Sequence, residues 1–142
     1  MMAHDLTTTV ALVAGDRFTA TTGSGGQTLL EPASDMAPTG AVSPMEALLV
    51  ALGGCLGMSV TPILRKTRQQ FARYEIHVRG VLSERLPRVF EAISVEHVIA
   101  GDGLDRVAIE RALSLAETRY CGVSAMLGKA VQITHHLTLT AS

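Results

Sequence analysis

Two cysteines, Cys55 and Cys121, stand far apart in a chain of 142 residues. An ionised thiol is a nucleophile and a metal ligand. It can attack the O–O bond of a peroxide and become a sulfenic acid, with which a second thiol condenses to a disulfide. Cys55 and Cys121 can share those steps only if the fold brings them together. The plainer alternative is that each is a small buried hydrophobe, as free cysteines commonly are. Metal binding has little support, because there is no C-x-x-C and the five His are scattered. His135 and His136 alternate faces on a predicted strand, so they do not converge on one ion. Exposed or hydrogen-bonded imidazoles are expected there.

Two further residues could assist a thiol. Arg17 is the sole arginine before the first predicted helix, and a guanidinium beside a thiol lowers its pKa. A surface residue is the alternative. Glu46 could pair with such an arginine, but it also completes a capping box with Ser43, whose hydroxyl serves as N-cap ahead of Pro44. Cys121 falls at a predicted helix start, where amide dipoles favour a thiolate. The residues themselves therefore leave open which thiol reacts first. Met45, Met58 and Met126 read as core or interface filler, with an apolar lining for an organic substrate as the alternative. Gly23-Ser24-Gly25-Gly26 is a turn, and with no helix after it there is no phosphate cradle.

The elements that must position these residues follow from periodicity. Residues 6–13, 17–22 and 27–31 read as three strands joined by glycine-rich turns, an antiparallel meander. The Pro-containing segment 32–42 is a loop. A helix starts at Ser43 and is apolar nearly all round over 47–58, which marks it as buried. That run is too short and too glycine-rich to span a bilayer. Gly53-Gly54 suggests close approach of another helix or a second chain. Pro62 predicts a kink or break, followed by a polar helical segment over 63–70. Residues 74–83 and 89–99 alternate as a hairpin, 106–119 carries a helical stripe behind an Asp105 cap, 120–127 is a turn and short helix, and 130–140 is a last strand. Strand hairpins separated by helices indicate one α+β domain over 1–142 with antiparallel sheet.

Composition narrows the partners. Hydrophobic residues make up 47%, aromatics only 4%, so the core is aliphatic. Formal net charge is −1 with no block of like charge, which argues against nucleic acid or an anionic membrane. The first five residues lack the regions of a signal peptide, so a cytoplasmic protein with reduced thiols is expected.

Two blocks resemble the OsmC/Ohr family of thiol-dependent peroxidases. The stretch from Pro44 to Cys55 is similar to the family's Pro-Glu-x-Leu helix ending in Cys, and Tyr120-Cys121-Gly122-Val123-Ser124 is similar to its Cys-Pro-(Val/Tyr)-Ser turn. The element order agrees over nearly the whole chain. The resemblance implies antiparallel sheets wrapped around two long central helices, two chains interlocked as a homodimer, and thiol sites at the subunit interface. It implies reduction of organic hydroperoxides or hydrogen peroxide with Cys55 attacking and Cys121 resolving, assisted by Arg17 and Glu46. An external dithiol resets the pair and no cofactor is implied. The chain departs from the family pattern at Met45, where Glu is frequent, and at Gly122, where Pro is usual. Those departures motivate a second expectation, a non-catalytic dimer that binds a small apolar ligand or partner at its interface.

Overall fold

The structure, a computed structural model, describes residues 4–142. The expectation of no leader rests partly on Met1, Met2 and Ala3, which lie outside the described residues. The chain divides into two compact units, one ending at Leu48 and the other running from Leu49 to Ser142.

In the first unit, β1 (Thr8–Ala14), β2 (Arg17–Thr22) and β3 (Gln27–Leu30) form the expected antiparallel meander in the order β1-β2-β3. Gly15 (φ +53°) and Gly25 (φ +95°) supply the left-handed backbone of its turns. Every β1 residue is exposed, including Val10 and Leu12. The loop returns beside β3, where the Val42 N–H donates to Leu29 O at 3.0 Å and the Glu31 N–H to Val42 O at 3.1 Å. This bridge delivers Ser43 to the start of the helix.

That helix, α1 (Pro44–Lys66), runs unbroken through Pro62, so the predicted break is absent. Proline's fixed φ suits a helix and its missing N–H removes only one bond. Val60 and Leu64, both fully buried, hold the helix down on either side. The 23-residue helix is longer than its apolar run suggested, and by length and composition it could cross a membrane. Its buried residues Leu52, Leu56, Val60 and Leu64 recur every four positions, however, and pack in the core of the second unit. The helix ends at Lys66, short of the expected 70. Arg68 adopts φ +60° and the Gln69 N–H donates to Leu64 O at 2.9 Å, which closes the last turn.

The second unit holds β4 (Phe71–Leu82), β5 (Phe90–Gly101) and β6 (Ile133–Thr140), in the order β4-β5-β6. β4 and β5 form the expected antiparallel hairpin, but β6 pairs parallel to β5, so this sheet is mixed rather than wholly antiparallel. A parallel neighbour requires a long crossover. Here it is supplied by α2 (Arg106–Leu115), a π-helical turn (Ala116–Tyr120) and α3 (Gly122–Leu127). The core falls into two clusters. Val60 and Leu64 pack with Ile99, Ile109 and Ala112, and Leu52 and Leu56 pack with Ile93, Val95 and Cys121. Gly53 and Gly57 approach β4, not a helix: a Cβ on Gly53 would lie 3.2 Å from Val78 and one on Gly57 3.0 Å from Ile76, whereas Gly54 faces open space.

Candidate functional site

The structure brings the two cysteines together in the second unit. Cys55 lies on α1 beside the buried stripe, directly before Leu56, and is half-buried. Cys121 is buried, with 2% exposure, in the cluster against which Cys55 packs. Both are free thiols. α1 positions the first sulfur through its packing, with Leu52 and Leu56 fixing the rotation of the helix and Gly53 and Gly57 letting it lie close on β4.

Cys121 is positioned by backbone. Its N–H donates to Ala116 O at 2.8 Å across the π turn, and its extended conformation (φ −86°, ψ 100°) breaks the helix there. It caps α3: the Ser124 N–H donates to Cys121 Sγ at 3.3 Å. Burial, followed by a hydrogen bond with the Cys55 thiol, pushes the Cys121 thiol up to about 11, against the opposing pull of the Ser124 amide. At pH 7 only about one Cys121 in 10,000 is a thiolate. The amides of a short helix start lose to desolvation.

The first unit places the other two predicted residues, and it does not pair them with each other. Arg17 Nε lies 2.5 Å from Glu31 Oε1, and the other Glu31 oxygen accepts from Thr39 Oγ1 at 2.7 Å. These contacts hold the Glu31 carboxyl below the usual range, Thr39 first and Arg17 next. Glu46 makes the capping box: the Ser43 N–H donates to Glu46 Oε1 at 2.9 Å and the Glu46 N–H to Ser43 Oγ at 3.3 Å. The bond from the Ser43 N–H is the first cause that lowers the Glu46 pKa.

Sequence reasoning missed Glu31. The register pairs Phe18 with Leu30, so the next pair outward is Arg17 opposite Glu31, a cross-strand charge pair readable once the hairpin is drawn. It also missed a group of polar rings around the buried His97. Tyr74 Oη and His97 Nδ1 are hydrogen-bonded at 2.7 Å, and the His97 ring stacks on His135 at 5.8 Å between centroids. Burial and the His135 ring lower the His97 pKa to about 4, while burial pushes the Tyr74 phenol up. His136 is exposed as expected. His135 is not: its Nε2, like that of His97, is buried and finds no hydrogen-bond partner among the described residues. The signal for His97 was parity, since it shares a face with Ile93, Val95 and Ile99, all buried. Among the described residues no group of three or more His, Cys, Asp or Glu converges to hold a metal.

Residues 37–136 match the family model described as OsmC-like protein. The chain is similar to Protein YhfA of Escherichia coli K12, with 38% identity over 134 residues, 94% of this chain and 97% of that protein. A crystal structure of a hypothetical protein from Aquifex aeolicus VF5 superposes with a TM-score of 0.87 at 26% identity, covering 99% of both chains. The organic hydroperoxide resistance protein OhrB of Bacillus subtilis shares the fold at a TM-score of 0.65 and 17% identity, over 95% of this chain and 98% of that one. With its two thiols gathered in one core cluster on this fold, the chain belongs to the OsmC-like protein family.

Proposed function

We propose that the protein reduces hydroperoxides through a two-thiol cycle, with Cys55 attacking and Cys121 resolving. The observation that carries this reading is that Cys55 and Cys121, 66 positions apart in sequence, pack in one core cluster, near enough for the Cys55 thiol to raise the Cys121 pKa. The division of labour has its own physical support. Cys121 is buried and remains a neutral thiol at pH 7, so it is unsuited to attack. Cys55 is only half-buried and can meet a substrate from outside.

In the cycle the Cys55 thiolate displaces alkoxide from the distal oxygen of ROOH. This leaves Cys55 as a sulfenic acid, and the alkoxide takes a proton to become ROH. The Cys121 sulfur then attacks the Cys55 sulfur, the S–S bond forms, and the sulfenic oxygen departs as water with the Cys121 proton. An external dithiol reduces the disulfide by exchange, which suits a reducing compartment such as the cytoplasm. By the family resemblance Arg17, paired with Glu31, is the candidate activating cation, and Glu46 caps the start of the helix that carries Cys55. The working unit in this reading is a homodimer. Val10 and Leu12 on β1 and Val50 and Met58 on α1 are exposed in the single chain, apolar side chains that a second copy would cover.

The test is steady-state consumption of cumene hydroperoxide with a dithiol reductant. Turnover that disappears in Cys55→Ser and falls several-fold in Arg17→Met supports the reading. A second reading, a non-catalytic dimer that binds an apolar ligand at its interface, is favoured by Met45 and Gly122 standing where peroxidases carry Glu and Pro. It predicts negligible turnover with any dithiol, together with a melting temperature raised by an apolar ligand.

A further inference from the structure

The π turn joins the thiol site to the stacked imidazoles. Its first residue, Ala116, accepts the Cys121 N–H, and its second, Glu117, reaches β6, where Glu117 Oε1 lies 3.3 Å from His135 Nε2. That distance is within ion-pair range, yet His135 Nε2 makes no hydrogen bond of proper geometry. A buried imidazole nitrogen next to a carboxylate, without a bond between them, is a contact that becomes strong only when the ring gains its second proton. π turns store a one-residue register shift that a helix can release. Forming a Cys55–Cys121 bond requires the sulfurs to close to about 2.05 Å. The bonds that fix Cys121, from the Ser124 N–H to its sulfur and from its own N–H to Ala116 O, resist any movement of Cys121 toward Cys55.

We propose that Glu117 and His135 are positioning residues that form a latch on the π turn, closing when His135 is protonated and thereby holding Cys121 back from disulfide formation. The inference rests on the two-thiol reading for its consequence, though not for its geometry. The groups facing His135 fit a latch with one charged state. From β5 comes the His97 ring, kept neutral by burial and bonded to Tyr74 of β4. From the helix side come Glu117, which favours the proton, and the Arg106–Glu110 pair, internally matched at 3.3 Å. Burial opposes the proton most and His136, its neighbour on β6, opposes it too, so the His135 pKa lies below its ordinary value and the latch closes only at acid pH. Arg106, Glu110, Glu117, His135 and His136 border one cavity of about 410 Å³, so water and protons reach the latch without unfolding.

The experiment follows disulfide formation in the reduced full-length protein with diamide. Two thiols lose two electrons and two protons, and the azo bond of diamide takes them up as a hydrazine. With the thiolate as the sole titrating requirement, the rate falls about tenfold per pH unit. A closing latch adds a second requirement, so the wild-type rate should fall about a hundredfold per unit at acid pH, and about tenfold in Glu117→Gln and His135→Gln. Glu117 is partly exposed, so its variant folds irrespective of the His135 variant. A second arm needs no redox chemistry. Protection of the Cys121 amide against hydrogen exchange, corrected for intrinsic rate, should be severalfold greater at pH 5 than at pH 8 in wild type, and equal in Glu117→Gln. A single tenfold slope in wild type, or exchange protection that ignores pH, overturns the latch. Absence of any Cys55–Cys121 disulfide with diamide overturns the two-thiol reading instead and leaves the exchange arm to decide the latch.

Discussion

The second unit buries two pairs of titratable groups, and they meet burial differently. Cys55 and Cys121 sit among Leu52, Leu56, Ile93 and Val95, with the Cys121 sulfur accepting a backbone N–H. His97 and His135 stack beside Tyr74, with two ring nitrogens left without hydrogen bonds among the described residues. Sulfur is weakly hydrated, so burying a neutral thiol costs little and keeps a reactive atom in place. Imidazole nitrogen is a strong hydrogen-bonding group whose isolation costs free energy. Burial holds Cys121 neutral by raising its pKa and favours the neutral imidazoles by lowering theirs. In the proposed reading the sulfur pair reacts and the imidazole pair responds to protons.

The largest effect expected from breaking this contrast lies on the sulfur side. Cys55→Ser should lower peroxide consumption by at least about a hundredfold. Cys121→Ser should retain a first turnover near the wild-type rate and then accumulate sulfenic and sulfinic acid on Cys55, visible by mass. Equal loss in both variants at the first turnover would make the thiols equivalent and erase the assignment.

On the imidazole side the effect is on stability. The folded state keeps His97 neutral down to about pH 4, whereas the unfolded chain takes its proton near pH 6.5. The unfolded state therefore binds the extra proton first as pH falls, and stability is lost between about 6.5 and 4. The ceiling on that loss is about 3 kcal/mol. Urea unfolding at pH 7.5 and 4.5 should show His97→Gln losing less stability to acid than wild type. The same acid loss in the variant would place the proton uptake elsewhere.

Smaller effects test the frame that carries each sulfur. For Cys55 it is the capping box: Ser43→Ala and Glu46→Ala should each cost about 1 kcal/mol in thermal unfolding, with the double variant short of the sum because the bonds are reciprocal. A loss of peroxide turnover by Glu46→Ala well beyond its loss of stability would instead give Glu46 a role in the chemistry. For Cys121 it is Gly122→Pro. Gly122 opens α3, a Cβ there meets nothing within 4 Å, and Cys121 is already extended as a residue before proline must be. The change should raise stability by about 0.5–1 kcal/mol and leave disulfide formation intact. Destabilisation would show that the turn needs glycine.

What the sequence revealed follows from which forces are local. The capping box at Ser43 and Glu46, the meander around Gly15 and Gly25, and the cap at Asp105 depend on neighbours a few residues away, and each formed as read. The break allowed at Pro62 is absent because Val60 and Leu64 gain from burial more than one missing backbone bond costs. The parallel pairing of β6 with β5 is a choice of topology, invisible in alternation, which is the same for either direction. Cys55 and Cys121 were singled out by residue type and motif, and the fold packs them in one cluster. Glu31 and His97 were missed because their meaning lies in register and parity, and the π turn because it has no local signature in 116–120.

The measurement that bears most directly on the account is the intact mass of the reduced protein after one equivalent of cumene hydroperoxide. The account predicts loss of two hydrogens as a Cys55–Cys121 disulfide, absent in Cys55→Ser and reversed by a dithiol. Two free thiols persisting after excess peroxide would contradict it.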